Sequence, residues 1–255
     1  MIMGKQYREG KLQSKNDNEQ VNQLADYIQS SQTNPVYKMA DFTKYVQKNE
    51  ISRFIARYEI FKMQLEVPGS IIELGVLRGA SLMTWAQLST ITEPTNFTRE
   101  IVGFDTLEGI PSVHDNDKNN WSTLLEPGKM NSGAGMEQDL RRAIEIYDLN
   151  RPLGHIEKVK LIKGNIMDTL PKYIQDNPHL SVSLLHMDTD LYEPTKLALE
   201  LLLPRMTKGA VLLFDEFNAK TYPGETIAIL DSIGIRSIRL KRFPWATTVA
   251  YAVLE

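Results

Sequence analysis

Short apolar runs alternate along this chain with stretches in which apolar residues recur every three or four positions. A short apolar run predicts a strand that is buried on both faces, whereas the wider spacing predicts a helix with one apolar face. The strands predicted from these runs lie around Ile71 and at residues 99–105, 158–164, 181–187 and 209–214. The helices predicted between and after them lie at residues 82–88, 136–147, 194–204 and 223–233.

The end of the chain has a different pattern. Residues 235–242 and 247–254 predict two further strands, and Phe243-Pro244-Trp245 predicts the turn of a hairpin between them. Helical crossovers join parallel strands, whereas a hairpin adds antiparallel pairing. We therefore predict an α/β fold with a Rossmann-like, doubly wound sheet. This sheet is expected to be mostly parallel, with an antiparallel C-terminal hairpin strand, and to carry N-terminal helices.

Residues 1–66 are expected to form a helical extension to a main domain at 67–255. Val21, Leu24 and Ile28 predict a short amphipathic helix, and a second helical pattern covers residues 39–65. The second helix either packs on the sheet edge or on another subunit, or it forms a cap over the cofactor cleft; we favour packing. Its apolar face leads us to expect a homo-oligomer.

Composition narrows the class of protein. The 255 residues are 42% apolar and carry a net charge of -3, which gives no reason to expect nucleic acid or an anionic membrane as partner. The sequence has no cysteine, so disulfides and thiolate metal sites are excluded. No apolar run is long enough for a membrane span, and residues 1–10 lack the apolar core of a secretory signal. We expect a cytoplasmic protein.

A glycine turn follows the first strand. Gly75 and Gly79 allow a close approach of backbone to ligand, and Ser81 is positioned to cap the next helix. Glu73 ends a buried strand, so its carboxylate needs a partner, for which we expect a ligand. The spacing lacks the third glycine of the dinucleotide fingerprint, and a pyrophosphate beside Glu73 would be repelled. S-adenosylmethionine, a sulfonium without phosphate, suits the turn better, and Arg78 is expected to meet either its carboxylate or an acid of a lid.

The second predicted strand ends in Asp105, where doubly wound nucleotide sites often place an acid that binds ribose hydroxyls. The alternative is an aspartate that only caps the turn. Residues 106–136 follow as a long polar loop with several glycines, and such loops are usually functional or disordered. Because this loop lies beside the expected cofactor, we predict a lid.

Acidic residues follow two other predicted strands. Asp188 and Asp190 come after the fourth strand, and Asp215 and Glu216 after the fifth. If these strands are neighbours, their carboxylates lie close together and either take up protons or bind a cation. Oxygen ligands favour a hard ion, with Mg²⁺ first and Ca²⁺ or Mn²⁺ as alternatives. The competing interpretation leaves the acids in solvent or at helix caps.

The histidines show no ligand spacing, and we interpret all of them as structural. They are His114, His155, His179 and His186.

Five motifs in order then resemble the macrocin O-methyltransferase family, whose members are S-adenosylmethionine enzymes. They lie at residues 67–79, 103–111, 163–171, 187–195 and 214–217. The resemblance implies that Glu73 and Gly75 line the methionine end of the cofactor. It also implies that Asp105 binds ribose and that Asn165 lies near adenine. Asn165 departs from the acid that many such enzymes carry there.

The resemblance further implies that Asp188, Asp215 and Glu216 hold the metal and that Asp190 is the general base. Glu216 stands where relatives often have aspartate. The function expected is metal-dependent O-methylation of a hydroxyl on a sugar or glycosylated natural product, with Asp188 also near the cofactor. The alternatives are a nucleotide-binding oxidoreductase on the same sheet and a non-catalytic cofactor-binding module.

Overall fold

The computed structural model describes residues 14–255, so the segment 1–10 considered above lies outside the described residues. The described helices are α1 Lys15–Ser30, α2 Pro35–Ala40, α3 Lys48–Met63, α4 Ala80–Thr92, α5 Met136–Asp148, α6 Ile166–Asp176, α7 Tyr192–Leu202 and α8 Pro223–Ser232. The described strands are β1 Ser70–Leu74, β2 Ile101–Asp105, β3 Val159–Lys163, β4 Val182–Met187, β5 Met206–Phe214, β6 Lys241–Phe243 and β7 Ala246–Val253.

The strands form one sheet in the order β3-β2-β1-β4-β5-β7-β6. The pairs among β1 to β5 are all parallel, whereas β7 pairs antiparallel with β5 and with β6. Apolar side chains of α3, α4 and α5 cover one face, and those of α6, α7 and α8 cover the other. The predicted Rossmann-like fold with an antiparallel C-terminal strand is confirmed. Since β1 and β4 are central neighbours, their carboxyl ends form the crevice in which such sheets bind ligands.

The hairpin is shorter than the sequence pattern predicts. Of residues 235–242, only the last two belong to β6, and Ile235–Ser237 forms a short 3₁₀ turn. Lys241 pairs with Tyr251, and β7 ends at Val253. Residues upstream of 239 therefore have no neighbouring strand to pair with, although their polarity alternates.

The N-terminal helical pattern is also interrupted. Between α2 and α3 the chain makes a turn that contains Tyr45, which is buried and stacks on Tyr27 of α1 with 5.3 Å between ring centroids. This packing overrides the local helical pattern. Three apolar side chains of α2, Val36, Tyr37 and Met39, are exposed. Among the described residues, no helix has the length and apolar character needed to cross a membrane. The homo-oligomer stays a prediction.

The long loop at residues 106–136 packs over the carboxyl ends of the strands. Its Asp117 is buried and accepts a hydrogen bond from the backbone N–H of Tyr192, at 2.8 Å. Asn119 donates to the backbone carbonyl of Thr221 at 3.0 Å. These bonds tie the loop to the starts of α7 and α8, and the loop forms one wall of the crevice. Its role as a lid stays a prediction.

Arg99, just before β2, is a buried hydrogen-bonding centre at the opposite end of the sheet. It forms an ion pair with Glu93, with 2.7 Å between Nε and Oε1. Its guanidinium also donates to Gln64, Leu65, Val67, Gly69 and Ser183. It therefore joins the end of α3, the entry to β1 and the start of β4.

We expect Arg99→Met to lower the free energy of unfolding by about 3–5 kcal/mol, because it removes the cationic partner of Glu93 and the donor to several backbone carbonyls. Urea unfolding followed by circular dichroism measures this change. The matched control is Arg142→Met, which removes an exposed ion pair with Glu145 and should change stability by less than about 1 kcal/mol. Equal effects of the two substitutions would contradict the role of Arg99.

Candidate active site

A largely apolar cavity lies at the carboxyl ends of β1, β2 and β4. Four of the residues predicted to bind the cofactor line it: Gly75, Asp105, Asn165 and Asp188. Its apolar wall includes Leu77, Ile110, Met130 and Ile166. A cavity with apolar walls and a few convergent polar groups is typical of small-molecule sites. The mouth of this cavity is open to solvent.

Gly75 is required where the glycine turn meets β4. It has φ +89°, and a Cβ atom there would lie 1.8 Å from the backbone oxygen of Asp188. Gly79 has φ +79°, and a Cβ atom there would lie 2.3 Å from a methyl group of Leu140. The second glycine therefore serves packing against α5, and it does not line the cavity. Arg78 lies on the same turn, is exposed, and is also outside the cavity lining.

Asp105 holds the glycine turn in place. Its Oδ2 accepts hydrogen bonds from the backbone N–H groups of Val76 and Leu77, both at 2.7 Å, and its Oδ1 accepts from Leu107 at 2.6 Å. A carboxylate has about four acceptor positions, so capacity for one further hydrogen bond remains. Asp105 therefore caps the turn, as in the alternative interpretation, and it also lines the cavity. Its binding of ribose stays a prediction.

Asn165 begins α6, where its side chain accepts a hydrogen bond from the N–H of Met167 at 3.1 Å. The residue caps this helix and also lines the cavity. Its contact with adenine stays a prediction.

Glu73 is fully buried and has protein partners. Its carboxylate accepts hydrogen bonds from Ser81 Oγ at 2.9 Å and Trp85 Nε1 at 2.7 Å, and His186 Nδ1 lies 3.3 Å away. The argument that a ligand must satisfy Glu73 is therefore wrong, and a contact between Glu73 and a cofactor stays a prediction. Ser81 does not cap α4 as expected, because Gly79 occupies the N-cap and Ser81 points back to Glu73.

The carboxylates after β4 and β5 meet as predicted from the strand ends. Met187 pairs with Phe214, so Asp188 and Asp215 follow at the same edge of the sheet. Ligand atoms of these two aspartates and of His186 all lie within 4.8 Å of one another, as in a site that could hold a metal ion. Glu216 lies outside this group but lines the adjoining cavity together with Asp190.

His186 is a site residue that the sequence analysis missed. Its ring lies between Glu73, 3.3 Å from Nδ1, and Asp215, 3.9 Å from Nε2. Burial would lower the pKa of His186, but the two carboxylates raise it to about 9. One signal could have revealed it: residues two apart on a strand share a face, so His186 lies on the same side as Asp188.

Arg53 of α3 also reaches the acidic group. Its Nη2 lies 3.7 Å from Oδ2 of Asp215, and this carboxylate raises the pKa of Arg53. The helix therefore packs against the sheet, as favoured above, and also contributes a cation to the site, whereas none of its residues lines the first cavity. Its side chain is 46% exposed, which leaves it room to move away from Asp215.

The acids cannot all ionise in the absence of further positive charge. Burial, together with the charge of Asp215, raises the pKa of Asp188 to about 7, and burial raises the pKa of Glu216 to about 10. Burial would also raise the pKa of Asp215, but His186 and Arg53 outweigh it and hold this pKa below its usual range. The carboxylate-rich donor set therefore fits a hard divalent cation.

A second cavity, of about 770 Å³, adjoins the first. The two share four lining residues, Leu77, Met130, Asp188 and Asp190. Asp190 is buried and has φ +61°, a left-handed conformation that is uncommon outside glycine and best tolerated by asparagine and aspartate. This backbone geometry holds the Asp190 carboxylate where the two cavities meet.

Comparison with known proteins gives consistent matches. A family model described as Macrocin-O-methyltransferase (TylF) matches residues 49–229. The chain is 28% identical over 151 residues to demethyldecarbamoylnovobiocin O-methyltransferase of Streptomyces niveus, covering 59% of the chain and 53% of that protein. It is 30% identical over 152 residues to 8-demethyl-8-(2,3-dimethoxy-alpha-L-rhamnosyl)-tetracenomycin-C 4'-O-methyltransferase of Streptomyces olivaceus, covering 59% and 54%. The chain thus spans about half the length of these curated relatives.

Among solved structures, the chain is similar to the calicheamicin methyltransferase CalS11. One crystal structure is 30% identical, with a TM-score of 0.90 and coverage of 94% of this chain and 93% of that chain. The apo structure, described as a TDP-rhamnose 3'-O-methyltransferase, is 27% identical, with a TM-score of 0.82 and coverage of 94% and 95%. The likeness extends over the N-terminal helices as well as the sheet.

Proposed function

The chain belongs to the macrocin O-methyltransferase (TylF) family, and from this premise we propose that it methylates a sugar hydroxyl with S-adenosylmethionine and a divalent cation. The observation that carries the proposal is the junction of the two cavities at Asp188 and Asp190. A methyl donor in the first cavity and an acceptor in the second would meet at these carboxylates. The relatives support a sugar acceptor, because two of them are named for reactions on rhamnose derivatives.

The first cavity fits S-adenosylmethionine, which when bound supplies an electrophilic methyl group on a sulfonium sulfur. Gly75 and Asp188 would lie along it, Asp105 would bind ribose, and Asn165 would lie beside adenine. The apolar wall around Ile110 suits a flat aromatic base. The described residues that line this cavity include no lysine, arginine or histidine for a pyrophosphate, which makes the oxidoreductase alternative the weaker one.

We propose that Asp188, Asp215 and Glu216 hold the cation, which when bound lowers the pKa of an acceptor hydroxyl. His186 competes with Glu216 as the third ligand because it lies within the close group. The two ring nitrogens of His186 already face carboxylates, with Nδ1 3.3 Å from Glu73 and Nε2 3.9 Å from Asp215. Oxygen ligands therefore fit the site better, and they favour Mg²⁺.

Side chains of the protein carry out proton transfer, stabilise the cation site and limit the access of water. Asp190 takes the proton of the acceptor hydroxyl, as a general base at the junction of the cavities. His186 and Arg53 stabilise the ionised form of Asp215. The loop anchored by Asp117 covers the cavities and holds donor and acceptor in line, which limits access of water.

The test is methyl transfer from labelled S-adenosylmethionine to two rhamnose probes, methyl α-L-rhamnopyranoside and thymidine diphosphate rhamnose. We expect transfer to at least one probe with Mg²⁺ present, and a loss of about a hundredfold or more after dialysis against EDTA. EDTA already saturated with Mg²⁺ is the control. Undiminished transfer after metal removal would contradict the cation site.

Calorimetry separates the alternatives. S-Adenosylhomocysteine should bind and NAD should not. Tight binding of S-adenosylhomocysteine without methyl transfer to any probe would instead favour a non-catalytic module.

A further inference from the structure

The second cavity has a lining unlike that of the first. Three side-chain amides line it, Gln20 from α1 and Gln47 and Asn49 from the start of α3, together with the indole of Trp121 from the loop. The first cavity is lined mainly by apolar groups and carboxylates. Amides beside an exposed aromatic ring are groups that recognise a polar, ring-shaped ligand.

Trp121 is held in place although its side chain is 45% exposed. Its backbone N–H donates to Oδ1 of Asn119 at 2.7 Å, and Asn119 in turn donates to the carbonyl of Thr221 at 3.0 Å. Lys220 Nζ lies 5.4 Å from the ring centroid. The hydrogen bonds of its backbone and of Asn119 fix the position of Trp121 in the cavity wall, and an aromatic face at this position can bind apolar C–H groups.

The amides come from two helices that contact each other at this point. Gln47 Nε2 donates to Gln20 Oε1 at 3.3 Å, which joins α1 to the start of α3. A primary amide both donates and accepts hydrogen bonds, as does a sugar hydroxyl. A site of this type discriminates strongly against ligands that lack the hydroxyls it is built to bind.

We infer that the second cavity contains a pyranose subsite, in which Trp121 stacks on the C–H face of the sugar and Gln20 and Gln47 bind its hydroxyls. This inference rests on the proposed function and deepens it. It assigns acceptor specificity to the loop at residues 106–136 and to α1, outside the carboxylate group. The sugar can be carried by a nucleotide or by an aglycone, since the same ring chemistry is recognised in both.

The test is calorimetry on protein saturated with S-adenosylhomocysteine, with methyl α-L-rhamnopyranoside and thymidine diphosphate rhamnose as separate probes. We expect Trp121→Ala to raise the Kd of the sugar probe that binds by about tenfold, and Trp121→Phe to keep it within about threefold. Gln20→Ala should raise it by about fivefold, the loss expected for one hydrogen bond. The affinity for S-adenosylhomocysteine should not change in any variant.

Trp245→Phe is the matched control, because Trp245 is 50% exposed and lies outside both cavities. Sugar binding should alter the tryptophan fluorescence of the wild type and of Trp245→Phe, but not that of Trp121→Phe. If Trp121→Ala binds the sugar as tightly as the wild type, the subsite is wrong while the proposed function stands. If the wild type binds neither probe yet methylates catechol, the sugar acceptor itself is wrong. The probe that binds more tightly identifies the carrier of the sugar.

Discussion

Asp188→Asn is expected to lower kcat by at least about a thousandfold while leaving the Kd of S-adenosylhomocysteine within about threefold. The substitution keeps the size of the side chain but removes the negative charge that the Asp188 carboxylate supplies to the site beside Asp215. It should also weaken Mg²⁺ binding by at least about tenfold. Loss of a residue that only orients a metal ligand already costs about this much metal affinity, and loss of a ligand itself should cost at least as much. Stopped-assay kinetics and calorimetry with the two ligands measure these quantities.

Asp139→Asn is a suitable control, because Asp139 is exposed on α5 and lies outside both cavities. It should leave all three quantities unchanged. The role assigned to Asp188 fails if its substitution weakens S-adenosylhomocysteine as much as Mg²⁺. That result would make Asp188 a cofactor contact first.

The sheet could be predicted from the sequence because its central strands are short apolar runs separated by helical patterns. Pairing of Met187 with Phe214 then brought Asp188 and Asp215 together, which needed only the assumption that β4 and β5 are neighbours. The edge strand was harder to predict. Its extent depends on where β7 ends, and local alternation carries no information about a partner 10 residues away, as in the pairing of Lys241 with Tyr251.

The cations of the site could not be predicted in the same way. Arg53 comes from a helix whose charged residues look like a solvated face, and only tertiary packing brings it to Asp215. Glu73 misled the analysis because a buried acid needs partners, and Trp85 and His186 supply them from α4 and β4. Sequence spacing showed the need for partners but could not identify them.

The acceptor cavity was beyond sequence reasoning for a related reason. It is assembled from α1, the start of α3 and an irregular loop, and periodicity does not determine how a loop packs. The hydrogen bonds of Asn119 fix the position of Trp121 in that loop. Nothing in the local pattern distinguishes this tryptophan from an exposed surface residue.

Asp190→Asn is expected to lower kcat by about 10²–10⁴-fold, the usual contribution of a general base, while the Kd of Mg²⁺ stays within about threefold. Asparagine is the appropriate replacement because the residue has φ +61°. Asparagine tolerates this conformation, whereas alanine would add backbone strain to the loss of the carboxylate. Single-turnover kinetics and calorimetry with Mg²⁺ measure the two effects independently.

The contrast between the two aspartates is what distinguishes their roles. Asp188→Asn should reduce both the rate and Mg²⁺ affinity, whereas Asp190→Asn should reduce only the rate. If Asp190→Asn also loses Mg²⁺, its carboxylate belongs to the cation site, and the proton must leave by another route.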